Sequence, residues 1–220
     1  MCVKIIENNY DVVEITRDEP SREMFSPMRL NIVCKMDEDT YNSFSSELWT
    51  FPIDKTFEIQ VRTIFSEGWH EVEHDLRYKN KADWAEHLEL SRNLNGILAT
   101  LETCDWAILN VFDNLAYQKY KSHEWNPMLR NHLRIHFFDN SLSLPIQEIF
   151  NNNTELAKEF LKFDRTMLLL FLSDHKQLHI PRKMDTIVYL INDLWVHNEM
   201  LLKTEPDLLK KQLLSYHGEN

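Results

Sequence analysis

FEIQVRTIFSEGWHEVEHDLRYK, residues 57–79, changes its hydrophobic period halfway along. In the first nine positions Phe57, Ile59, Val61, Thr63 and Phe65 fall on one face, and Glu58, Gln60 and Arg62 on the other. A period of two predicts a strand that buries one side. From Ser66 the pattern turns helical, with Ser66 as N-cap candidate and acidic residues in the first turn. A strand lining up carboxylate, amide and guanidinium on its polar side is either a solvated sheet face or the wall of a polar site. The residues alone leave both readings open.

Outward from this junction the two halves of the chain differ. Upstream, CVKII and DVVEI are short β-branched runs that read as strands. MRLNIVCKM alternates over a longer stretch, with Leu30, Ile32, Cys34 and Met36 on one face and Arg29, Asn31, Val33 and Lys35 on the other. RDEPSREMFSP is charged, carries two prolines and reads as a loop, and DEDTYNSFSSELW as a short helix or a long connection. Downstream, Leu90, Leu94, Ile97, Leu101, Ile108, Val111 and Leu115 recur at helical spacings, which predicts one long helix from about Asp83 to Lys121. Shorter amphipathic segments follow to the end, punctuated by Pro127, Pro145, Pro181 and Pro206 near helix starts.

Composition narrows the function classes. Only 3 glycines in 220 residues argue against Gly-rich phosphate loops and turn-dense β-sandwiches, and favour long helices. A net charge of −11 disfavours general affinity for nucleic-acid backbone, while leaving room for a nucleotide held with metal ions in a local basic cleft. Cys2, Cys34 and Cys104 form no motif and read as reduced thiols. No basic-then-apolar leader opens the chain, and the longest apolar run, Met167 to Leu172, is too short for a bilayer. The expectation is a soluble, cytoplasmic chain without a membrane partner.

HEVEH, residues 70–74, matches the H-E-x-x-H pattern of zinc peptidases. Its extended form would continue with a glycine and a third histidine, and Arg77 and Asn80 stand where those fall. Glu86, His87 and Glu89 exist downstream, but nothing in their surroundings selects a third ligand. No zinc is expected.

The same stretch resembles the C-terminal part of the RelA/SpoT-type (p)ppGpp synthetase, or GTP pyrophosphokinase, domain. That family shows a strand E-x-Q-x-R-T and then a helix W-x-x-x-E-H-x-x-x-Y-K. Here Glu58, Gln60, Arg62 and Thr63 match the strand, and Trp69, Glu73, His74, Tyr78 and Lys79 match the helix. The resemblance implies alarmone synthesis of the stringent response: transfer of the β,γ-diphosphate of ATP to the 3′-hydroxyl of GDP or GTP. It implies that Glu58 is catalytic and helps hold Mg²⁺, and that Gln60 and Arg62 bind substrate or orient the glutamate. Trp69, His74 and Tyr78 are expected to pack the helix against the sheet. The implied fold is α+β, a small mixed, nucleotidyltransferase-like sheet followed by a long helix and a helical C-terminal region. Its segments run 1–80, 81–122 and 123–220.

The chain departs from the family in two places. The family carries G-Y-x-S-x-H on the preceding strand, where the tyrosine stacks on the acceptor guanine. The best register lays SPMRLN, residues 26–31, on it, so Pro27 replaces the tyrosine and Asn31 the histidine. Arg29 is the remaining candidate for stacking and, with Asn31, for substrate binding. Upstream, the family's ATP half has a strand with a D-x-x-G-x-R motif, which this sequence lacks. The expectation is therefore a domain incomplete alone, completed by a second polypeptide or a longer chain. The alternative is an inactive binding or regulatory module of toxin–antitoxin or phage-defence type. A tRNA 3′ end is the one nucleic-acid substrate the resemblance leaves open. The C-terminal helices are expected to serve regulation or homo-oligomerisation, with His132, Arg134 and His136 on the surface.

Overall fold

The computed structural model describes residues 2–18, 29–45, 54–175 and 179–218. The chain divides into two compact units, Met1–Ile108 and Leu109–Asn220. The expected α+β architecture is present: a three-stranded sheet comes first, and helices make up the rest.

In the first unit α1 (Cys2–Glu7) precedes β1 (Val12–Asp18), β2 (Arg29–Lys35), α2 (Glu38–Ser45) and β3 (Thr56–Gln60). The sheet order is β1-β2-β3. Both ladders are antiparallel, where a mixed sheet was expected. The reason lies in CVKII, which forms α1 instead of a further strand. Its Val3 and Ile6, three residues apart, both pack on the sheet core, a helical spacing that the β-branched composition masks. Among the described residues this leaves three sequential strands, whose antiparallel pairing needs no crossover helix. Much of the loop read at 17–27 lies outside the described residues, and the connection after Met36 begins as the helix α2.

Register explains which face is buried. Ile32 pairs with Ile59 and Cys34 with Phe57, and Ile32 and Cys34 are fully buried. Burial is the leading cause that raises the Cys34 thiol pKa, with the Asp11 charge adding to it. A bulge between Val12 and Glu14 shifts the alternation of β1. Val12 then faces the core opposite Cys34, while Glu14 pairs with Val33 on the opposite face.

From β3 the chain runs into α3 (Ile64–Val72), which continues through a π-helical turn over Glu73–Tyr78. Ser66 does not cap this helix. Thr63 is the N-cap, its hydroxyl accepting from Ser66 N at 3.1 Å while Thr63 N donates to Ser66 Oγ at 2.9 Å. This capping box starts the helix three residues earlier than the sequence pattern suggested. A short α4 (Lys81–Trp84) leads to the long helix α5 (Leu88–Lys121), which was expected over 83–121.

The second unit contains α6 (Trp125–Leu133), α7 (Leu144–Asn152), α8 (Thr154–Lys162), α9 (Arg165–Asp174), α10 (Met184–Ile191, followed by a π turn, Asn192–Val196), α11 (Glu199–Thr204) and α12 (Asp207–Gly218). Their apolar stripes converge on one core in which Met128, Leu129, Ile146, Phe150, Phe160, Leu168, Ile187 and Leu190 are fully excluded from solvent. Each side chain of this kind contributes roughly 1.5–3 kcal/mol by burial. Among the described residues no helix is long and apolar enough to cross a membrane.

Candidate functional site

β3 presents its polar face as the alternation requires. Glu58 and Gln60 are exposed, while Phe57, Ile59 and Val61 join the core side. Gln60 Nε2 donates to Glu58 Oε2 at 2.8 Å, a bond between side chains two residues apart on one strand face. An amide donor at this distance holds the carboxylate in one orientation without neutralising it. Across β2, Val33 pairs with Glu58 and Asn31 with Gln60; across the next ladder, Glu14 pairs with Val33 and Thr16 with Asn31. The polar face therefore holds two rows, Glu14–Val33–Glu58 and Thr16–Asn31–Gln60.

Asn31 Oδ1 in the second row is buried and has no hydrogen-bond partner among the described residues. An acceptor removed from water without a donor costs about 1–3 kcal/mol, so this atom is suited to a donor on a bound molecule. It occupies the position where the resemblance would place the family's histidine. Arg29 opens β2 opposite Asp18, and its backbone alone is described; Pro27 lies outside the described residues.

Arg62 is not directed to Glu58. It follows the end of β3, its side chain is 10% exposed, and its Nη1 donates to Glu67 Oε2 at 2.8 Å. Gln60, Arg62, Thr63, Ile64 and Glu67 line a shallow cleft of about 370 Å³ at the strand–helix junction. Thr63 Oγ1 also donates to Asp105 Oδ2 at 2.6 Å, which ties the junction to α5. Glu102, one helical turn from Asp105, has its pKa raised by burial first and by that neighbour's charge second.

Two of the helix signature residues, Trp69 and Glu73, bear on α5. Trp69 is 4% exposed, and its indole N–H donates to the Leu94 carbonyl at 3.3 Å. Glu73 accepts from Arg77 Nε at 3.3 Å, and Arg77 Nη1 donates to Asn95 Oδ1 at 2.9 Å, so Glu73 orients an arginine that reaches α5. His74 stacks between His70 and Tyr78, with ring centroids 5.6 Å apart on either side. Tyr78 is 54% exposed, so about half of its surface stays in solvent. Lys79 pairs with Asp75 at 2.6 Å on the solvent side. Burial, and after it the Arg62 charge, lowers the His70 pKa.

Among the described residues no group of three or more His, Cys, Asp and Glu side chains is placed to hold a metal ion. Mg²⁺ asks for less from protein: it commonly takes one or two carboxylates and completes its shell with water and substrate phosphates. Glu58, held by Gln60, offers one such carboxylate, and Glu14 lies on the same face with its backbone about 10 Å away, two strand spacings. The donor set therefore fits a magnesium shared with a phosphate-bearing ligand. Glu14 escapes a reading of the sequence because the bulge at Val13 reverses the alternation of β1.

No curated protein and no solved structure matches the chain. Residues 1–83 match the family model described as the region found in RelA / SpoT proteins, a match consistent with a RelA/SpoT-type domain in this part of the chain.

Proposed function

We propose that residues 1–83 supply the acceptor side of a nucleotide pyrophosphotransferase site that moves the β,γ-diphosphate of ATP to the 3′-hydroxyl of GDP or GTP. The observation that carries this reading is Glu58, exposed on the polar face of β3 and aligned by Gln60 at 2.8 Å, inside the matched region. Glu58 accepts the proton of the acceptor hydroxyl as the oxygen attacks the β-phosphorus and AMP leaves. Gln60 keeps the carboxylate pointed at that oxygen, and Asn31 Oδ1 accepts a hydrogen bond from the acceptor nucleotide. Glu58, with Glu14 nearby, would hold Mg²⁺, which would supply neutralisation of charge on the transferred phosphates. The ATP-binding half comes from a second polypeptide or from further chain.

Incubation with ATP, GDP and Mg²⁺, with and without the product of the neighbouring reading frame, tests this. A 3′-pyrophosphorylated nucleotide is expected with the companion, and Glu58→Ala abolishes it. Absence of product in both mixtures overturns the reading. The wide backbone spacing of Glu14 and Glu58 favours a second reading, a module that binds nucleotide without transferring anything. It predicts nucleotide binding that survives Glu58→Ala.

A further inference from the structure

The helical unit contains a second constellation, outside the matched residues and independent of the proposed transfer. The end of α6 and the turn between α8 and α9 enclose a cleft of about 430 Å³ whose walls carry Tyr117, His132, Arg134, Phe163 and Arg165. Two guanidinium groups share this cleft in a chain whose net charge is −11. Arg165 Nε donates to the Leu133 carbonyl at 2.9 Å, and the His132 ring bonds the Phe163 carbonyl through Nε2 at 2.8 Å. Both side chains are therefore held by backbone carbonyls beside Arg134.

The charges bear the mark of this crowding. Burial first, then the positive charge of Arg134, lowers the Arg165 pKa. Burial also lowers that of His132, which disfavours a charged imidazole there. The counter-charges are incomplete. Asp113 accepts from Arg134 Nη1, but its side chain is 56% exposed and free to turn to water. Asp164 caps α9, accepting from Thr166 N at 2.8 Å. Arg134 Nε is buried and finds no acceptor among the described residues.

Arg134 also stands in the left-handed region, with φ 49°, as the C-cap of α6. A side chain there costs about 1–2 kcal/mol that glycine at the same cap would avoid. Strain of this kind persists where the side chain has a use.

We propose that this cleft binds a phosphate-type oxyanion between Arg134 and Arg165, with Asp113 holding the Arg134 fork until the anion displaces it. Paired guanidinium forks match the oxygen spacing of a phosphate, and the aromatic walls strengthen the contact by excluding water.

The test is a ³¹P NMR titration of inorganic phosphate, and separately of phenyl phosphate, against the full chain at constant ionic strength in chloride. Line broadening is expected with wild type. Arg134→Gly, which relieves the left-handed strain and so keeps the fold, weakens binding by about tenfold, the loss of one charge-assisted pair. Arg134→Gln, which keeps the bulk, gives the same loss. Asp113→Asn tightens binding, because the competing carboxylate is gone. Tighter binding of phenyl phosphate points to an esterified ligand, tighter binding of phosphate to the free ion. No broadening in wild type overturns the proposal. So does broadening that survives both Arg134 variants, or an Asp113→Asn protein that binds more weakly.

Discussion

Gln60 Nε2 donates to Glu58 Oε2 across 2.8 Å of the same strand face, so the orientation of the carboxylate depends on its neighbour two residues along. Gln60→Ala leaves Glu58 in place and removes its orienting donor. Transfer activity is expected to fall about 10–100-fold, the usual cost of losing a group that orients a metal-binding side chain. Gln60→Glu tests the same contact by charge. Two carboxylates at that distance raise each other's affinity for a proton, so the acid limb of the pH–rate profile moves upward. An unmoved limb with reduced activity would assign Gln60 to substrate instead.

Glu14 and Glu58 flank Val33 in one row of the sheet. If Glu14 helps hold the magnesium, Glu14→Gln raises the Mg²⁺ concentration needed for half-maximal nucleotide binding by about tenfold, the loss of one charged ligand. Titration calorimetry at several Mg²⁺ concentrations reads this directly. Nucleotide affinity with the wild-type Mg²⁺ dependence would remove Glu14 from the site and leave Glu58 alone there.

Thr63 serves two partners, capping α3 at Ser66 N and donating to Asp105 on α5. Thr63→Ala deletes both and is expected to destabilise the N-terminal unit by about 1–2 kcal/mol, with Thr63→Ser recovering most of it. Asp105→Asn keeps the cap and loses only the charge on the second bond, so its cost is smaller. Urea unfolding followed by circular dichroism orders the three variants. A Thr63→Ala protein as stable as Asp105→Asn would show that the cap contributes nothing here.

The strands β2 and β3 were legible because each buries one side: Ile32 and Cys34, Phe57 and Ile59 alternate in sequence as they do in space. The same rule misread CVKII. A β-branched run of five residues carries too little length to show that Val3 and Ile6 face the core at helical spacing. Glu58 and Gln60 could be placed on the polar face from the pattern, but Arg62 could not. Beyond the last ladder pair its direction is set by Glu67 on the following helix. Two further features are non-local. A bulge shows no residue type of its own at Val13, and the Thr63–Asp105 bond joins positions 42 residues apart. The Arg134 cleft is hidden for a related reason, since only folding brings Arg165 beside it.

Glu205 gives the helical unit a stability that depends on pH. It follows α11, is 5% exposed, and its Oε1 is buried without a partner among the described residues. Burial, reinforced by Asp193 and opposed by Lys210, raises its pKa from 4.5 to about 7. The folded state therefore keeps a proton that the unfolded chain has already released between those two values. Stability linked to this group is fully present below pH 4.5, falls as pH rises towards about 7, and changes no further above it. Glu205→Gln cannot ionise, so it lacks this dependence. Above pH 7 it is expected to exceed the wild type by about 1–3 kcal/mol, the cost of a buried charge without a hydrogen bond. Urea midpoints of both proteins at pH 5 and pH 8 supply the comparison, because the difference between them cancels every other titrating group. A difference between the two proteins that is equal at the two pH values would show that Glu205 does not titrate differently in the folded and unfolded chain, and would remove it as the source of the pH dependence.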